Sequence, residues 1–121
     1  LMSPLMPDRP ALVRHEMLGG NRTFDGKNAY LEGTVYTVSN DYLLKDQKID
    51  SAGYVAFQLR PQGAQTPVYV YVSKESPFLE MLEKLPSDRL FFRGKLYTVK
   101  NDKGTSDAFL LEEITKIKPK R

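Results

Sequence analysis

The residue types that could do chemistry are few and badly spaced for it. The 121-residue chain has one histidine, His15, followed at once by Glu16. Neighbours on a helix point apart, so this predicts a surface pair, not an acid–base dyad. The chain has no cysteine, which excludes disulfides, thiolate metal sites and a cysteine nucleophile. Metal binding would need further ligands, and no His/Cys cluster exists. Asp41, Asp46 and Asp50 share one segment but lack the spacing of a calcium loop. Glu112 and Glu113 would point to opposite sides of a regular strand, a poor start for a catalytic carboxylate pair. No phosphate-cradling glycine loop, nucleophile elbow or P-loop lysine is present. These patterns predict a protein that is not an enzyme and carries no cofactor or metal.

The tyrosines are more informative. Alternation along three expected strands turns Tyr36, Tyr54, Tyr69 and Tyr71 away from the core, with Arg60 beside them. Such a face could stack bases, at roughly 1–3 kcal/mol per base and without sequence preference. Three plainer explanations compete. Tyrosine favours strands in any case. Residues 1–28 could lie across the rings and bury them. A protein partner or second copy could dock there, since interfaces are rich in aromatics.

The elements that must position these rings revolve around a stretch and its echo. Tyr30–Asp41 reads YLEGTVYTVSND and Phe91–Asp102 reads FFRGKLYTVKND. Both carry a glycine near the middle, Gly33 and Gly94, where a strand can bend or bulge. The neighbouring strands do not match, so two strands meeting one geometric demand explain the echo better than duplication does. In the first stretch Leu31 and Val35 mark the core side. Asn40–Gly53 is a long, charged connection in which Tyr42, Leu43 and Leu44 are possible anchors. Strands follow at Tyr54–Arg60 and Val68–Val72, separated by the turn Pro61–Pro67. Ser76 and Pro77 open a helix whose apolar stripe is Phe78, Met81, Leu82 and Leu85, and Pro86 stops it. Two more strands, Asp88–Val99 and Ala108–Ile117, flank the polar turn Asn101–Asp107. The second of them turns Phe109, Leu111, Ile114 and Ile117 inward, with one bulge near Glu112-Glu113.

Residues 1–28 stand apart as an N-terminal appendage: an extended, proline-rich start, then a short helix at Ala11–Leu18 ended by Gly19-Gly20. Asn21-Arg22-Thr23 matches the glycosylation triplet, a pattern that also arises often by chance. Residues 29–117 make the body and 118–121 a basic tail. The chain begins with Leu1, which we read as a trimmed N-terminus, so the compartment is open. No apolar run approaches a membrane span.

The predicted order β-β-β-α-β-β, with Leu31-x-Gly33-x-Val35 early and Phe109-x-Leu111-Glu112-Glu113-Ile114-x-x-Ile117 late, resembles the OB-fold. That is an all-β fold with one helix, a five-stranded Greek-key barrel. The closing strand looks like that of anticodon-binding-like OB domains. The resemblance implies oligonucleotide binding on the face that bears Tyr36, Tyr54, Tyr69, Tyr71 and Arg60. It also places Lys45, Lys48, Lys100 and Lys103 in the loops where backbone contacts would come.

Charge speaks less strongly for that ligand. The net charge is +3, but Lys116, Lys118, Lys120 and Arg121 crowd the end; without them 14 basic residues face 15 acidic ones. Four phosphate contacts alone would give a salt slope of about −2.8 on single strands, a weak grip. Two partner classes therefore stay open: single-stranded RNA or DNA on the tyrosine face, and a protein partner or self-association.

Overall fold

The computed structural model describes residues 9–102 and 104–119. Six strands, β1 (Ala11–Leu12), β2 (Asp25–Ser39), β3 (Tyr54–Pro61), β4 (Val68–Ser73), β5 (Leu90–Asn101) and β6 (Gly104–Thr115), accompany one short helix, α1 (Leu79–Glu83). The sheet order is β1-β2-β3-β4-β6-β5, and an added β2–β5 pairing closes it. Five strands, β2 to β6, thus form a closed barrel, with the helix between the third and fourth of them. Only β4 and β6 run parallel within it. This is the OB-fold connectivity that the sequence led us to expect.

Closure depends on β2, which is long enough to serve two neighbours. Asp25 to Gly33 pairs with β5 and Gly33 to Ser39 pairs with β3. At Gly33, where the partner changes, a Cβ would collide with the Arg60 carbonyl oxygen. At Gly94, opposite a register shift between β5 and β6, a Cβ would collide with the Leu110 carbonyl. The two echoed glycines thus share one cause: neighbouring backbones pass too close for any side chain.

Inside, the alternation holds. Leu31, Val35, Phe57, Leu59, Val70, Phe92, Leu96 and Phe109 form one buried core. Burying each such side chain contributes roughly 1.5–3 kcal/mol. α1 adds Leu82, with Phe78, Leu79 and Met81 packed behind it. The helix is shorter than its apolar stripe. Ser76 Oγ accepts from the Phe78 amide at 3.1 Å, and the helix ends by Glu83. Leu85 takes a left-handed φ of 48° before Pro86 and is exposed, against expectation.

Four other boundaries moved. β2 starts at Asp25, within the stretch read as appendage. The expected helix over Ala11–Leu18 is instead a two-residue parallel strand on β2 and one 3-10 turn, His15–Met17. Backbone bonding to β2 and the burial of Val13 and Leu18 override the local helical preference. The β5–β6 turn is tighter than expected, so Ser106 and Asp107 belong to β6. At the far end β6 stops at Thr115, and Ile117 is 76% exposed, not inward.

Candidate nucleic-acid interface on the outer barrel face

The outer sides of β2, β3 and β4 carry the four tyrosines, but the structure divides them into two groups. Tyr36 is the extra residue of a bulge: Val35 pairs with Leu59 and Thr37 with Gln58, so Tyr36 has no opposite number. Its ring is 37% exposed. Its hydroxyl donates to Gln58 Oε1 at 2.6 Å, and the Arg60 guanidinium carbon lies 4.6 Å from the ring centroid. Arg60 is exposed and, among the described residues, forms no hydrogen bond or ion pair. Its five N–H donors are therefore uncommitted while its charge sits over an aromatic face. Tyr69 is the cross-strand neighbour of Gln58 and is half-buried.

Tyr71 behaves in the opposite way. It faces outward from β4, yet it is 0% exposed. The β2–β3 loop folds over it. The Tyr71 hydroxyl accepts from the Leu43 amide and donates to the Asp41 carbonyl, both at 2.8 Å. Tyr42 stacks on its ring at 5.5 Å between centroids, and the Tyr42 hydroxyl donates to the Tyr54 carbonyl. Leu44, Ile49, Ala56, Tyr71 and Ala108 make a second buried cluster, with Tyr54, Tyr69 and Tyr97 packed at its border. Burial pushes the Tyr71 phenol up to about 12, against the lowering effect of the Leu43 amide. The expectation of four exposed rings is thus corrected: Tyr71 is closed off and Tyr54 is half-buried. The cover is the β2–β3 loop, not the described part of the appendage, residues 9–28. An apolar Tyr42-Leu43-Leu44 run plus Ile49 in an otherwise charged loop was the available signal.

The expected cationic contacts scatter. Lys45 and Lys48 are exposed on the 3-10 turn of that loop, and Lys100 is exposed at the end of β5. Lys103 lies outside the described residues. Between this loop and the β5–β6 hairpin is a cleft of about 390 Å³ lined by Asp41, Leu43, Tyr69, Asn101, Asp102 and Ser106. Both echoed Asn-Asp exits contribute to it, and its carboxylates would repel a phosphate. Gln58 was missed by sequence reasoning; its role depends on the bulge that brings Tyr36 to it.

Elsewhere the carboxylates are structural. The β6 register shift lets both Glu112 and Glu113 reach Arg93, at 2.8 and 2.9 Å, so the expectation that they diverge is corrected. The hydrogen bond that Arg93 donates to Glu113, with both carboxylate charges, holds the Arg93 pKa above its ordinary value. His15 and Glu16 also meet, at 3.8 Å, because a 3-10 turn replaces the expected helix. Both are exposed, and the imidazole lies against Gly63. Among the described residues no three potential metal ligands converge, and no helix is long and apolar enough to cross a membrane.

No family model matches the chain, and no curated protein does. Among solved structures it is similar to the mitochondrial single-stranded DNA binding protein of S. cerevisiae. The identity is 16% and the TM-score 0.49, covering 78% of this chain and 97% of that one. Strand order, the closed five-stranded barrel and the intervening helix carry the assignment on their own: the chain has the OB-fold.

Proposed function

We propose that the chain is a non-enzymatic binding module that takes single-stranded nucleic acid on the open half of its outer face. Tyr36 and Arg60 form the contact surface, Gln58 fixes the ring and Tyr69 extends the path. The observation that carries this reading is the uncommitted Arg60 guanidinium held 4.6 Å from the centroid of a bulge-displayed tyrosine ring. A stacked guanidinium keeps its in-plane donors for phosphate or base edges while the ring offers a face to a base. Lys45, Lys48 and Lys100 add diffuse attraction, and the acidic cleft steers phosphates away from the hairpin side.

Fluorescence anisotropy with a labelled oligonucleotide at low salt tests this. Tyr36→Ala and Arg60→Ala should each weaken binding by roughly 5- to 150-fold, the equivalent of one stacked base. Unchanged affinity in both variants would remove the basis of the reading. The salt dependence should be shallow, about −0.7 per phosphate contacted.

A second reading, a protein-interaction or assembly role, has its own observation. The backbone of residues 34–39 pairs with β3 on one side, and among the described residues no strand pairs with it on the other. Val38, on that stretch, is 52% exposed. An unpaired strand edge is a template for another strand. Light scattering separates the readings: a monomer that binds oligonucleotide counts against assembly, and an oligomer that ignores it counts against nucleic acid.

A further inference from the structure

Residues 9–24 form a strap that crosses β5 and β6 near their hairpin, and one acidic side chain lies beneath it. Asp107 shares the inward side of β6 with Phe109 and Leu111 and is 2% exposed. One carboxyl oxygen accepts from the Gly19 amide at 2.8 Å. The other, Oδ1, is buried with no hydrogen-bond partner. A carboxylate has room for about four donors and is costly to bury without them. The remaining strap bonds in this stretch all go to Thr98, which pairs with Asp107 across the sheet. The Phe24 amide donates to Thr98 Oγ1, the Thr98 amide donates to the Phe24 carbonyl, and Thr98 Oγ1 donates to the Arg22 carbonyl. Strap, Thr98 and Asp107 therefore form a single seam.

We propose that this seam is a proton-governed latch: the strap lies closed when the Asp107 carboxyl is neutral and loosens when it ionises. The neutral acid leaves one oxygen poorly served, whereas the carboxylate leaves a charge poorly served, which is the larger penalty. Among the described residues, burial and the Gly19 amide are the influences that act on Asp107, with no compensating charge beside them. Val68 is opposite Asp107 on β4 and Thr98 on β5, and the strap presents the Gly19 amide. Burial holds the Asp107 pKa above its ordinary value, and the Gly19 bond only partly opposes this. The sign follows. A group whose pKa is raised in the closed state favours closure fully below its ordinary value, about 3.9, and loses that contribution as pH rises through the raised one. Each unit of elevation changes the closing equilibrium about tenfold. The strap is a suitable moving part, since β1 pairs with β2 over two residues only. The latch is independent of the Tyr36–Arg60 surface.

Hydrogen–deuterium exchange on the full chain tests it, with intrinsic rates corrected for pH. Protection of residues 11–24, referred to residues 55–59 of β3, should fall between pH 4 and pH 7.5. Asp107→Asn should abolish that fall and keep the strap protected at both pH values. A strap whose relative protection does not change with pH, or a variant with the same fall, would overturn the latch. Should the variant not fold, a carbon-13 titration of Asp107 in the wild type decides: a pKa at or below about 3.9 refutes it, and a raised one supports it.

Discussion

The two halves of the outer barrel face start from the same residue type and end in opposite states. On one half, Tyr71 is sealed under its own loop, with both lone-pair and proton committed to backbone partners. On the other, Tyr36 stands on a bulge with a guanidinium over it and a third of its surface in water. What separates them is the reach of the loop between β2 and β3, whose apolar anchors Leu44 and Ile49 land over β4 and β6 neighbours. A tyrosine facing out of a sheet becomes core or contact surface according to what the next connection carries.

The sharpest way to break this contrast is Tyr71→Ala. It removes a fully buried ring and two hydrogen bonds, and should cost about 3–5 kcal/mol in urea unfolding. A loss below about 1 kcal/mol would mean that the loop does not seal this half in solution. A smaller effect is expected at high pH. The Tyr71 phenol is held protonated in the folded chain, up to about 12. Its contribution is complete below the unfolded value near 10 and is lost as pH climbs through the raised one. Wild type should therefore lose about 2–3 kcal/mol relative to Tyr71→Phe between pH 9 and pH 12. Parallel curves for the two proteins would refute a buried phenol. The smallest effect belongs to the open half: Tyr36→Ala should change stability by no more than about 0.5 kcal/mol, while its oligonucleotide affinity falls. A large loss of stability there would make Tyr36 a packing residue and blur the distinction.

The sequence conveyed the barrel well and the site only in part. Strand periodicity, the echoed glycines and the Pro-framed helix are local signals, and each describes a feature of its own segment. Leu31, Val35, Phe109 and Leu111 were all readable as inward-facing, and they are. Tyr71 was readable as facing outward, but not as buried. Its burial depends on where a 14-residue connection settles, which local pattern does not encode. The same holds for Asp107. It reads as a turn residue beside Gly104, and only the register of β6 against β5 turns it inward beneath the strap. Glu112 and Glu113 likewise became partners of one arginine through a shift in pairing that restored phase. Errors thus fell where tertiary contacts override period-two alternation, at loops and bulges.

The double pairing of β2 has a kinetic consequence. Its first half needs β5, which begins more than sixty positions after β2 begins, and the parallel join of β4 to β6 needs the last of the described strands. Early hairpins such as β3–β4 can form at once, but a polypeptide emerging from a ribosome cannot close the ring until β6 has been made. Folding of this domain should therefore be slow for its size and intolerant of the loss of β6, because its most distant contacts are also the ones that complete it.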